Sequence, residues 1–337
     1  MGSLTEAKTN VPDVHDAGQA DRAAGKPAGL WLRDRLARYV PFMALVLLLI
    51  TFSILAPGRF ATLQNGKIVL EQTAVLAIVS FGLTFVIVAG SIDLSVGSVV
   101  ALAGMVAAGV TASHGPYLGM AAGLGVGLAT GFTNGLIFTR LRIPSFITTL
   151  GMLTIARGLT LLYSKGAPMS ITAPAFLRIG KYPGILYLTG IVFIVSYVVY
   201  NYTTFGRYTQ AIGGDERVTE LAGVAVRRIK MGIFTLCGAL AALGGVTLAA
   251  RMGAATPTTG TGFELDVIAA VVLGGTPLTG GMGNVSRSVL GALIASILSN
   301  GLVILGVESA TQMVIKGIVL FLAVFISFER SKVGIIK

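Results

Sequence analysis

Apolar residues run along this chain in blocks of about 20, separated by short polar segments rich in glycine and basic side chains. Stretches free of Asp, Glu, Lys and Arg cover Tyr39–Pro57, Gln72–Ile92, Leu94–Thr139, Tyr182–Gly206, Met231–Ala250, Val267–Ser286 and Ser288–Val307. A helix crosses the hydrocarbon core of a bilayer in about 20 such residues. The longest stretch, 94–139, has room for two crossings and divides at Ser113-His114-Gly115-Pro116, a strong turn signal. Ten spans fit the pattern: 39–57, 67–89, 95–112, 117–139, 147–164, 184–202, 231–250, 266–276, 288–307 and 311–328. Of these, 266–276 is too short to cross unless its helix extends into the flanks. The expectation is an all-α polytopic membrane protein of about ten transmembrane helices.

Composition removes the competing classes. Hydrophobic residues make up 54% of the 337 and charged residues only 12%, against about 25% charged in soluble domains. A soluble enzyme and a disordered chain are excluded. The single cysteine, Cys237, allows no disulfide framework, and with two histidines no metal site is expected.

The net charge of +11 is an orientation signal rather than a nucleic-acid footprint, because the bases form no aromatic-interleaved patch. With the N-terminus in the cytoplasm and the loops assigned alternately, 17 Lys and Arg fall on the inner side and 6 on the outer. Both termini are therefore expected in the cytoplasm. Residues 1–29, polar and without an apolar core, read as a disordered cytoplasmic tail rather than a signal peptide. At 30–38, either a short interfacial helix anchored by Trp31 or an extension of the first span fits the pattern. The membrane domain covers 39–328, with a large cytoplasmic loop at 203–230, and 329–337 forms a cytoplasmic C-terminus.

Forty-five glycines punctuate the chain. In the fourth span Gly119, Gly123, Gly127, Gly131 and Gly135 recur every four residues, which places them on one helical face. Small residues at that spacing let helices approach closely in a membrane, so this face is expected to pack against a neighbour.

Polar residues within apolar stretches are candidates for function. Gly90-Ser91-Ile92-Asp93-Leu94-Ser95 lies between two runs. Asp93 or Ser95 can cap a helix at the membrane surface; alternatively, Ser91, Asp93 and Ser95 mark a helix broken inside the membrane and facing a pathway. A second cluster, Thr258 to Asp266, is expected at the outer side. There Glu264 and Asp266 can cap the short eighth helix or line the mouth of a pathway for a hydroxylated solute. Arg157, Asn300, Gln312 and Lys316 also fall in or near spans. Asn300 joins the pathway candidates, although a polar contact between helices suits each of the four, and Lys316 can snorkel or pair with Glu308.

The loop between the sixth and seventh spans contains Gly213-Gly214-Asp215-Glu216-Arg217-Val218-Thr219-Glu220-Leu221-Ala222-Gly223. Gly214 or Asp215 can start a helix of about eight residues and Gly223 can end it. It is either a solvated connector or, given apolar Val218, Leu221 and Ala222, a contact surface for another protein.

Three blocks, GSIDLSVG at Gly90–Gly97, GRYTQAIGGDERVTELAG at Gly206–Gly223 and GTGFELDVIAAVVLGG at Gly260–Gly275, occur in order at the expected spacing. Together they resemble the inner-membrane permeases of ABC importers for ribose, xylose, arabinose and related monosaccharides. The resemblance runs from about Arg38 to the end. It implies a dimer (of one chain or with a paralogue), a cytoplasmic sugar ABC ATPase, and a periplasmic sugar-binding protein that delivers substrate. It further implies that Gly213, Gly214, Asp215, Glu216, Glu220 and Gly223 lie in the element that couples to the ATPase. No cofactor is expected on this chain; ATP and Mg²⁺ belong to the partner, in keeping with the lack of any G-x-x-x-x-G-K-[ST] segment here. Arg287 departs from the pattern, standing where the family commonly has glycine. The functional expectation is a sugar-import permease working by alternating access, with permeases for nucleosides, branched-chain amino acids or another small polar solute, or an ion-coupled secondary transporter, as alternatives.

Overall fold

Each uncharged run becomes one helix or two. The computed structural model describes residues 28–327, with side chains described from 41 to 325. The tail read at 1–29, apart from its last two residues, and the C-terminal segment 329–337 lie outside the described residues, as do the side chains of 30–38. The spans correspond to α1 (Ala28–Leu55), α2 (Leu63–Val88), α3 (Val96–His114), α4 (Pro116–Arg140), α5 (Ser145–Ser164), α7 (Gly184–Tyr202), α10 (Val226–Met252), α11 (Phe263–Leu273), α12 (Val285–Ile304) and α13 (Ser309–Ser327). Between them lie short helices α6 (Pro174–Arg178), α8 (Thr204–Gly214) and α9 (Glu216–Leu221). A two-residue pair, β1 (Met169–Ser170) with β2 (Ala254–Ala255), joins the segment after α5 to the one after α10.

Seven of the described helices, α2, α3, α4, α5, α7, α10 and α12, are long and apolar enough to cross a bilayer, and Pro41–Leu55 and Ser309–Phe325 are shorter apolar helices. Helix α11 is different. Its 11 residues rise only about 16 Å, half of the hydrocarbon thickness. It also starts three residues earlier than the pattern suggests, at Phe263 rather than 266.

Helix α2 is the axis of the bundle: every residue from Thr73 to Val88 is buried. Its three buried hydroxyl residues donate to their own helix, Thr73 to the Val69 carbonyl, Ser80 to Leu76 and Thr84 to Ser80. No donor is stranded, so a helix with polar residues can stand in an apolar centre. Helices α7, α10, α11 and α12 pack around it, and α4 lies against α3 and α10.

The α4 glycine face makes that last contact possible. Gly119, Gly123, Gly127, Gly131 and Gly135 are all buried. A Cβ at Gly127 would run into the Gly238 carbonyl, one at Gly131 into the Phe234 carbonyl, and one at Gly135 would come within 2.9 Å of the Met231 Cα. Gly119 and Gly123 meet α3 at the Ala107 and Ala103 carbonyls in the same way. Backbone thus lies on backbone along most of α4.

Candidate functional site: two broken crossings

Between α2 and α3 the chain turns at Gly90, whose φ of 70° favours glycine, and then runs without helical bonding through residues 91–94. This strip does not lie at the surface. Ser91, Asp93 and Ser95 are all at most 4% exposed. Its backbone is satisfied by side chains of α5: Ser145 Oγ accepts from the Ile92 amide at 3.3 Å and Thr149 Oγ1 from the Leu94 amide at 3.1 Å. A helix break inside a membrane needs such partners, because no water is at hand.

Asp93 folds back over the strip. One carboxylate oxygen accepts from the Ser95 amide at 2.9 Å and from Ser95 Oγ at 2.6 Å. Asn134 Nδ2, on α4, donates to the same Ser95 hydroxyl at 3.0 Å, and the buried Cys237 of α10 lies beside the carboxylate. No ion pair to Asp93 occurs among the described residues. The segment is a buried break between two helices in which Asp93, and not Ser95, accepts an amide at the start of α3. Asp93→Ala removes the acceptor of both Ser95 bonds. It is expected to lower transport about tenfold or more with normal insertion, since polar groups left unpaired at such depth cost about 1–3 kcal/mol; uptake equal to wild type would reduce Asp93 to a dispensable contact.

The second break lies between α10 and α11. Residues 256–262 form a chain of turns in which the Thr256 and Thr259 hydroxyls bond at 2.7 Å. Arg157, on α5, reaches across: its Nη1 donates to the Pro257 carbonyl at 2.9 Å and the Thr259 carbonyl at 2.7 Å. Glu264, at the start of α11, lies within electrostatic range of that guanidinium.

The two breaks meet. A Cβ at Gly97, in the first turn of α3, would run into the Glu264 carboxylate and the Gly260 carbonyl. The place of this contact along the bundle follows by counting along α10. Gly245 lies seven residues before Met252, the last residue of α10, and packs on the Val100 carbonyl of α3. Gly97 is three residues further on, so the meeting point lies about 15 Å along the bundle from the α10 terminus. The Thr258–Asp266 cluster thus folds in against the first turn of α3, with Glu264 on Gly97.

Two other pathway candidates stand apart from this group. Asp266 pairs with Lys316 of α13 at 2.8 Å, so the acid that Lys316 meets is Asp266 and not Glu308. Asn300 is buried against α2, donating from Nδ2 to Asn65 Oδ1 at 3.0 Å, while Asn65 donates to the Phe60 carbonyl at 2.9 Å. Asn300 thus ties two helices together away from the breaks. Gln312 bonds locally to the Val307 carbonyl. Arg157 carries more than the helix contact expected of it, and Thr149 and Asn134 were not singled out in the sequence; only their position on apolar helices marks them.

In the loop after α7, Asp215 caps α9 by accepting from the Val218 amide at 2.9 Å. Helix α9 spans six residues, shorter than the eight expected, and Gly223 follows it with φ of 85°. Gly214, Asp215, Glu216 and Glu220 are exposed with Val218 and Leu221, whereas Gly213 is half-buried. Glu216 pairs with Lys230 of α10 at 2.6 Å, and the Lys230 ammonium lies 4.7 Å from the centre of the Phe138 ring of α4.

A bundle of long apolar helices with two interrupted helices meeting inside it is the build of a multi-pass membrane permease. The chain belongs to the family described as the branched-chain amino acid transport system / permease component, whose model matches residues 67–324. It is 42% identical over 310 residues to the ribose import permease protein RbsC of Escherichia coli K12, covering 89% of this chain and 95% of that protein. It is 38% identical over 301 residues to the L-arabinose transport system permease protein AraH of E. coli K12 (88% and 91% covered). With the fructose import permease protein FrcC of Rhizobium meliloti the identity is 36% over 311 residues (88% and 86%). No solved structure matches significantly. The chain is a multi-pass inner-membrane transport subunit that forms a translocation pathway.

Proposed function

We propose that this chain is the permease of an ATP-driven monosaccharide importer, moving sugar past the Gly97–Gly260 crossing by alternating access. The observation that carries this reading is identity of about 40% over nearly the whole chain to permeases named for ribose and arabinose import. A branched-chain amino acid is the second reading, favoured by the family description alone. The polar lining suits hydroxyls better than an aliphatic side chain: Thr256, Thr259, Arg157 and Glu264 face the crossing with donors and acceptors.

In this reading the chain works as a dimer with a cytoplasmic ATPase that holds ATP and Mg²⁺, and a periplasmic binding protein delivers the sugar. Both termini lie in the cytoplasm and ten crossings are made, the eighth half by the turns at 256–262 and half by α11. Helix α9, with exposed Val218 and Leu221 and a base fixed through Glu216 and Lys230, is the surface the ATPase engages. Replacing Gly214 and Glu216 together with tryptophan is expected to block co-purification of the ATPase and to lower uptake of labelled ribose by about 100-fold, given that a few central residues dominate an interface. Co-purification and uptake equal to wild type would end the assignment of α9.

A further inference from the structure

The end of α8 touches both broken crossings at once. The Val88 carbonyl at the end of α2 accepts from the Gly281 amide at 2.8 Å. Gly213, two residues before the α9 cap, is wedged against this bond: a Cβ there would run into the Val88 carbonyl and lie 2.5 Å from the Gly281 nitrogen. On the other side, a Cβ at Gly280 would stand 2.8 Å from the Gly90 Cα and 3.2 Å from the Gly213 carbonyl oxygen. Three segments therefore meet backbone to backbone. One opens the strip to Asp93, one follows α11, and the third leads directly into α9.

The surroundings fix these segments. Tyr200 donates from its hydroxyl to the Gly283 carbonyl at 2.9 Å, and Thr84 and Ser288 bond at 2.8 Å where α2 meets α12. The far side of α9 is held by Glu216 on Lys230. A displacement of α9 thus has little slack to lose. It must shift Gly213, and Gly213 has no side chain that can bend out of the way.

We infer that the junction of Gly213 with Val88–Gly90 and Gly280–Gly281 is the positioning element that carries the movement of α9 to both broken crossings, and that it closes the inner end of the pathway. The inference rests on the reading of α9 as the ATPase contact. It assigns to backbone, not to charged side chains, the transmission between the two.

The test compares Gly213→Ala with Gly125→Ala in the full transporter, purified with its ATPase and reconstituted with its binding protein. A Cβ at Gly125 of α4 meets nothing within 4 Å, so that variant controls for loss of a glycine as such. Gly213→Ala is expected to retain the ATPase and its ATP hydrolysis within about twofold while ribose uptake falls about tenfold or more, the pattern of a disturbed hinge. Gly125→Ala should match wild type in all three. Uptake by Gly213→Ala equal to wild type, or a parallel fall of uptake, hydrolysis and subunit content, would overturn the inference.

Should Gly213→Ala fail to insert, the pair Gly214→Cys and Gly281→Cys gives the same answer. A Cβ at Gly281 lies 3.2 Å from the Gly214 Cα, and Cys237, the only native thiol, is buried. Oxidation is expected to form the disulfide and stop uptake with hydrolysis retained, and reduction to restore uptake. No disulfide, or a disulfide that leaves uptake intact, contradicts the junction. Wild-type uptake that proceeds without any ATPase would instead remove the underlying coupling reading.

Discussion

Gly131→Leu is expected to remove the folded protein from the membrane, whereas Gly125→Leu, six residues earlier on the same helix, should leave it intact. At Gly131 a Cβ already collides with the Phe234 carbonyl and stands 3.0 Å from the Thr235 Cα; at Gly125 it meets nothing within 4 Å. Overpacking a close-packed site costs about 1–3 kcal/mol when side chains can yield, and here the obstacle is backbone. Separation of α4 from α10 would strand the contact over much of a 25-residue helix. The measurement is the amount of detergent-extracted monodisperse protein and its Tm. The expectation is near-complete loss for Gly131→Leu and, for Gly125→Leu, no loss, since leucine is the better helix former by somewhat under 1 kcal/mol. Equal behaviour of the two variants would mean that the glycine face is not a packing surface.

Arg157→Ala should leave the bundle in place and disable the path. The guanidinium holds the 256–262 turns through two carbonyls, and hydrogen bonds to charged groups contribute about 1.5–3 kcal/mol each. Losing both is expected to lower uptake about 100-fold, the equivalent of about 2.8 kcal/mol, with membrane content within about twofold. Arg157→Lys should recover part of it, because an ammonium supplies the charge but not the planar fork. Wild-type uptake by Arg157→Ala would show that the turns need no tether from α5.

The elements were readable because they are one-dimensional signals. A run without charge is a span, and glycine every fourth residue is a face that must lie against something, here α3 and α10. The depth of the breaks was not readable. Gly, Ser and Asp at 90–95 suit a surface cap and a buried strip equally well; the difference lies in Ser145 and Thr149, more than 50 residues on, whose hydroxyls replace water. The same holds for 256–264, which reads as a loop in the sequence and packs against Arg157 of α5 and Gly97 of α3.

Pairings between distant helices were equally hidden. Lys316 has Glu308 nearby in sequence but meets Asp266 in space, 50 residues away. Asn300 reads as an intramembrane polar group, and its amide nitrogen meets Asn65 of α2, 235 residues away in sequence. Helix α8 is hard to read for a different reason: it is short, it straddles the end of an uncharged run, and its buried face, Gly206, Thr209 and Ile212, contains a single aliphatic residue. Its importance comes from Gly213, a residue whose role is to be small.

The most direct test of the central claim is uptake of labelled ribose into proteoliposomes containing this permease, with the ATPase that co-purifies with it and the matching binding protein. Uptake that requires ATP inside the ATPase-bearing compartment, together with all three components, and that falls about 100-fold with Arg157→Ala is the predicted result. Uptake by this chain alone, driven by an ion gradient without the ATPase, would contradict it.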